Sequence, residues 1–120
     1  ELFEAIFEAQ RNNLKRLEQA GVNLVVGSDS FRASSRGEAD HLAQLQAVTN
    51  LTLLKMWTEN CARMAFPTRK IGKLKDGYEA NFLALSGNPL DDFSFTKQIE
   101  MRFKDGSVIE VDTLAENVSD

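Results

Sequence analysis

The chain has 120 residues, enough for one ordinary domain with its own core. Hydrophobic residues at 42% and charged residues at 27% exclude a disordered, collagen-like or membrane-embedded chain, and no apolar run approaches the ~20 residues of a bilayer span. A formal net charge of −4 leaves no electrostatic reason to expect nucleic acid or an anionic membrane as partner. One cysteine cannot form an internal disulfide, so a reducing compartment, the cytoplasm, is the expectation. The chain opens at Glu1 rather than at a methionine, so it is expected to be a piece of a longer product from which any targeting segment has been lost.

From Leu2 to Ala20 the apolar residues Phe3, Ile6, Phe7, Leu14 and Leu17 recur at helical spacing, and Gly21 supplies a left-handed stop. Val22 to Val26 is short, β-branched and nearly all apolar, which predicts a strand buried on both faces of a parallel sheet. Gly27 to Gly37 is polar, serine-rich and without period, hence a loop at the carboxyl end of that strand. Leu42, Leu45 and Val48 mark a helix over Glu38 to Val48, and Thr49 is placed to cap the next one through Leu51, Leu54 and Trp57. Thr58 is expected to cap a further turn through Cys61, Met64 and Ala65, before Pro67 ends the helical half. Short strands follow at Ile71 to Leu74, Ala80 to Leu85, Ile99 to Phe103 and Val108 to Val111, the last two joined by an Asp105-Gly106 hairpin turn.

Few residues invite chemistry. Asp29 sits just past the buried strand, where α/β folds gather ligand-binding groups, although a turn aspartate would occupy the same place. Ser28 and His41 with Asp29 do not make a hydrolase triad, because no nucleophile elbow of Gly-x-Ser-x-Gly form is present. His41 reads as a solvated helix histidine and Cys61 as a small buried hydrophobe. Arg32 and Arg36, in the loop with Ser34 and Ser35, could hold a carboxylate, and Glu38 suits a helix start.

Four stretches resemble, in order and spacing, the C-terminal third of the amidohydrolase superfamily, in the branch of imidazolonepropionases and Xaa-Pro dipeptidase-like enzymes. Gly21-Val22-Asn23-Leu24-Val25-Val26-Gly27-Ser28-Asp29 resembles its eighth barrel strand. Thr58-Glu59-Asn60-Cys61-Ala62 resembles its Thr-x-Asn-x-Ala helix, and Ile71 to Leu85 its Gly-x-Leu-x-x-Gly-x-x-Ala-Asp-Phe return to a small β lobe. Gly87-Asn88-Pro89-Leu90-Asp91 is similar to the Asp-Pro-Leu turn that follows. Asn81 departs from the aspartate usual there.

The resemblance implies an α/β fold: residues 1–66 as the last units of a metal-dependent (β/α)8 TIM-barrel hydrolase with the eighth strand at 22–26, and residues 67–120 as part of a β-sandwich lobe that also draws on an absent N-terminus. It implies Asp29 as metal ligand and catalytic base, a divalent ion, zinc by preference, and hydrolysis of an amide, cyclic amide or peptide C–N bond in a small-molecule or dipeptide-like substrate. The family's other ligands are largely histidines, and this chain has only His41. The isolated chain is therefore expected to be inactive and to hold no tight metal. A non-catalytic scaffold or assembly chain derived from the same fold is the alternative. With one unpartnered barrel strand, the chain is also expected to form a homo-oligomer.

Overall fold

The computed structural model describes residues 1–110. Helix α1 spans Leu2–Gln19. Its end is a Schellman turn: Gly21 has φ 72°, the Gly21 N–H donates to Glu18 O and the Val22 N–H to Leu17 O. Of its apolar stripe only Leu14 is buried, while Leu2 and Phe3 are 77% and 79% exposed. Most of that stripe therefore finds nothing to pack on among the described residues.

No strand forms over residues 22–26, contrary to the sequence expectation. A strand needs a neighbour to complete its ladder, and none of the three strands among the described residues lies beside this segment. Val26 is nonetheless buried, at 6% exposure, in the same core as Leu14, Ala39, Leu45, Leu53, Met56 and Phe93.

Helix α2 (Ser35–Leu45) begins three residues earlier than its apolar spacing predicts and ends at Gln46 in the left-handed region, φ 49°. Thr49 caps helix α3 (Asn50–Lys55) as anticipated, its Oγ1 accepting from the Thr52 N–H at 3.1 Å. A wide π turn over Met56–Asn60 then leads into helix α4 (Cys61–Ala65) without a break. Thr58 does not start a new helix; its hydroxyl donates to the Leu54 carbonyl at 2.8 Å, bonding back along the preceding turn.

The β half is a three-stranded antiparallel sheet in the order β1-β2-β3, with β1 at Phe82–Leu85, β2 at Ile99–Lys104 and β3 at Ser107–Ile109. The hairpin falls where the sequence puts it: Asp105 and Gly106 both take positive φ, 51° and 78°, as a type I′ turn requires. Val111, assigned to the last strand, lies outside the described residues. Phe82 and Phe103 face each other across β1 and β2, their rings stacked at 4.4 Å. A 3-10 turn at Phe93–Lys97 escapes the periodicity; Asp92 caps it by accepting from the Ser94 N–H, and it carries Phe93 into the helical core. Lys97 also pairs with Asp40 at 2.9 Å, so this connection ties the sheet to α2.

The expected strand at Ile71 to Leu74 is replaced by a bend. Gly72 has φ 86°, and a Cβ placed on it would lie 2.7 Å from Ala62 Cβ and 2.9 Å from the Thr58 carbonyl oxygen. The chain passes too close to the π turn there to carry a side chain or extend as a strand. Gly72→Ala is accordingly expected to destabilise the fold by about 1–3 kcal/mol, from overpacking added to the unfavourable φ. Urea denaturation of the two proteins measures it, and an unchanged midpoint would show that the contact relaxes without cost.

Candidate functional site

Asp29 lies in the irregular segment that follows Val26, exposed and in the left-handed region at φ 49°. A non-glycine residue with positive φ is uncommon, though Asp is among those that tolerate it. Around it Ser28 Oγ donates to the carbonyls of Ala33 (3.0 Å) and Ser30 (3.3 Å), and Ser30 Oγ accepts from the Arg32 N–H at 3.3 Å. These bonds fold the loop on itself and leave the Asp29 carboxylate outside them.

The segment leading to Asp29 is held by helix side chains. Asn60 Nδ2 donates to the Leu24 carbonyl at 2.8 Å. Cys61 Sγ accepts from the Val26 N–H at 3.3 Å and lies 3.2 Å from the Val26 carbonyl and 3.0 Å from the Met56 carbonyl, the two acceptors for its single proton. Arg63 Nη2 reaches Asn23 Oδ1 at 3.1 Å while also bonding Asn60 Oδ1 at 3.0 Å. The extra residue of the π turn brings Asn60 and Cys61 to bear on this backbone, in keeping with the occurrence of such turns at functional positions. Sequence reasoning missed both roles: it treated Cys61 as a hydrophobe, and Asn60 only as part of a motif. An asparagine in the middle of an otherwise good helix was the available signal, since that residue gains little from a helix interior.

The other candidates are scattered. His41 is half-buried, its Nε2 donating to Gln10 Oε1 at 3.1 Å and its ring meeting Phe7 edge-on, so it joins α1 to α2 instead of standing free in solvent. Ser35 Oγ accepts from Trp57 Nε1 at 2.9 Å, which fixes the start of α2 against the π turn. Ser34 is the N-cap residue of α2 without a side-chain capping bond, and Glu38 lies in that helix's first turn. Arg32 and Arg36 are exposed. Among the described residues no three His, Cys, Asp or Glu side chains come together as a metal site. Asp29 thus offers the oxygen donors of a single ligand, and a metal held there needs its other ligands from elsewhere.

A groove of about 710 Å³ separates the π turn from the sheet, lined on one side by Leu54, Trp57 and Thr58 and on the other by Phe82, Leu83 and Leu85. It does not include Asp29. Before the sheet begins, Arg69 grips Glu79 with two hydrogen bonds, of 2.9 and 2.6 Å. Asn81 extends this chain, donating to Glu79 Oε2 at 3.1 Å and accepting from the Asp105 N–H at 2.8 Å. An aspartate there could accept from Asp105 but would set a second carboxylate against Glu79. The departure at Asn81 therefore suits its neighbour.

A profile of the amidohydrolase family matches residues 3–109. The chain belongs to the amidohydrolase family. Among proteins of curated function none matches. Among solved structures the chain is similar to a Xaa-Pro dipeptidase with methionine bound in its active site, at 20% identity and a TM-score of 0.70, over 84% of this chain and 25% of that one. It is similar to a prolidase complexed with N-methylphosphonate-L-proline at 26% identity and a TM-score of 0.69, over 85% of this chain and 26% of the prolidase. Phenylurea hydrolase B gives 19% identity and a TM-score of 0.66, over 82% and 26% of the two chains. The chain thus spans about a quarter of the length of these structures. With the mixed helix and sheet content, these likenesses establish an α/β fold of the amidohydrolase type.

The hydrogen bond from Arg69, with its charge, holds the Glu79 carboxyl below the usual carboxylate range. A depressed folded-state value means stability that is present above the unfolded value, about 4.3 for glutamate, and is lost as pH falls through the depressed one. Glu79→Gln should therefore lower stability near neutral pH and match the parent protein once the pH is below that window. Denaturation midpoints across the acid range measure this; a difference that persists undiminished into strong acid would assign the effect to packing.

Proposed function

We propose that this chain is the part of a metal-dependent amidohydrolase that supplies Asp29 to the reaction centre, and that the whole protein hydrolyses an amide, cyclic amide, peptide or related C–N bond. The observation that carries the reading is the placement of Asp29: an exposed carboxylate three residues beyond the buried Val26, whose backbone, with the Leu24 carbonyl, is pinned by helix side chains. The relatives' own chemistries, dipeptide cleavage at proline and phenylurea hydrolysis, are all cleavages of C–N bonds and support that reaction class. A divalent ion such as zinc, when bound, polarises the scissile carbonyl and acidifies water. The Asp29 carboxylate would be one of the ligands holding such an ion and would be the base for the proton of the attacking water. In the whole protein, residues 1–66 would complete a (β/α)8 barrel, with 22–26 as its eighth strand, and the sheet of the second half would join further strands in a β sandwich.

Asp29→Asn keeps the size and one acceptor oxygen but neither the charge nor the basicity. In the whole protein it should lower kcat by about 10²–10⁴-fold, the usual contribution of a general base, with little change in KM. A variant that keeps kcat within about threefold, far short of that contribution, would leave Asp29 as a turn residue.

By itself the chain is proposed to be inactive and to bind zinc weakly, because a catalytic zinc takes about three protein ligands and Asp29 is one. Calorimetric titration with zinc checks this: a stoichiometric submicromolar site that disappears in Asp29→Ala would overturn it. The chain alone is further proposed to associate with copies of itself in the cytoplasm, since Leu2, Phe3 and Ile6 of α1 and the fully exposed Phe31 leave apolar surface open. Light scattering at micromolar concentration should find a dimer or larger species, and a compact monomer would contradict it.

A further inference from the structure

The π turn and the Asp29 segment are joined by a set of contacts to which the catalytic reading gives no role in the reaction itself. Cys61 meets both backbone polar groups of Val26, three residues before Asp29, and Asn60 meets the carbonyl of Leu24. These groups sit against a core in which Val26 is buried, where an unpaired amide or carbonyl costs about 1–3 kcal/mol. Beyond Val26 the chain has only the internal serine bonds of its loop. The last fixed point before the carboxylate is therefore the Val26 peptide, and the thiol of Cys61 is what fixes it.

We propose that Asn60 and Cys61 are positioning residues for Asp29: they anchor the Leu24 carbonyl and the Val26 backbone to the π turn and so set where the carboxylate emerges. Its catalytic consequence rests on the function proposed above. The thiol suits the task because it accepts from the Val26 N–H and donates its one proton to a carbonyl. Serine can do both over a shorter reach; alanine and valine can do neither.

The test has two readouts. Amide hydrogen exchange of the chain needs neither metal nor substrate. In Asn60→Ala and Cys61→Ala, exchange at the Val26 amide should rise about tenfold, the worth of roughly one lost hydrogen bond, while α1 and α2 keep their protection. Cys61→Val controls for lost volume and should behave as the alanine variant, whereas Cys61→Ser should recover much of the protection. Exchange at the Val26 amide that stays unchanged in both alanine variants, or protection that returns equally with valine and serine, overturns the proposal.

In the whole protein the same alanine variants should lower kcat tenfold or more with KM within about twofold, and Cys61→Ser should restore kcat in part; this split marks a loss confined to the transition state. A change in KM alone overturns the positioning role. The two ideas fail separately. An Asp29→Asn variant that keeps its kcat removes the catalytic reading whatever exchange shows, whereas an active site that needs Asp29 but tolerates both alanine variants removes only the positioning of Asp29 by Asn60 and Cys61.

Discussion

The arrangement depends on one requirement, that the backbone polar groups around the buried Val26 find partners. Residues 22–26 have the composition of an internal strand but no strand beside them among the described residues. The Leu24 carbonyl and both backbone polar groups of Val26 turn instead to side chains able to reach, Asn60 and Cys61, while the Val22 N–H closes onto the end of α1. The π turn follows from the same need. It shifts the phase of a helix whose inward residues Leu53, Met56 and Ala62 are fixed by the core, and it delivers polar side chains to the segment without displacing them. Gly72 answers in turn, because the widened helix leaves the returning chain no room for a side chain.

Much of this was legible in the sequence where the signal is local. The Schellman stop at Gly21, the Thr49 cap and the Asp105-Gly106 hairpin each rest on one or two residues whose conformational preference no later contact opposes. The failures share a cause. Residues 22–26 and Ile71 to Leu74 were assigned from side-chain pattern, which reports burial and period but not whether a neighbour exists or whether the backbone must turn. The 3-10 turn at Phe93–Lys97 is too short to show a period at all. Asp29 was singled out as a candidate by its place after an apolar stretch. Its supports Asn60 and Cys61 lie more than thirty residues away, and a relation of that kind is set by tertiary packing.

The two halves meet through a few specific links and not a broad apolar face. Phe93 enters the helical core and tilts against Trp57 at 6.2 Å, Lys97 pairs with Asp40, and Lys73 pairs with Glu59 at 3.2 Å. Exposed ion pairs of this sort contribute little each, so Phe93 is the anchor of the junction. The groove between Trp57 and β1 lies open beside it.

The order of the strands carries a consequence for how the sheet is made. The β2 and β3 strands are joined by a two-residue turn and can pair on the microsecond scale of isolated hairpins. The β1 strand precedes them and, among the described residues, pairs only with β2, across the whole connection that contains the 3-10 turn. A ribosome therefore releases β1 well before β2, with Phe82 left without its ring partner until Phe103 has emerged to stack on it. During that interval the stretch Phe82 to Leu85 is four consecutive apolar residues with an open edge, the kind of segment that chaperones and misfolding both recognise. Translation speed across the following twenty or so residues, rather than the stability of the finished sheet, then governs how long the chain stays exposed.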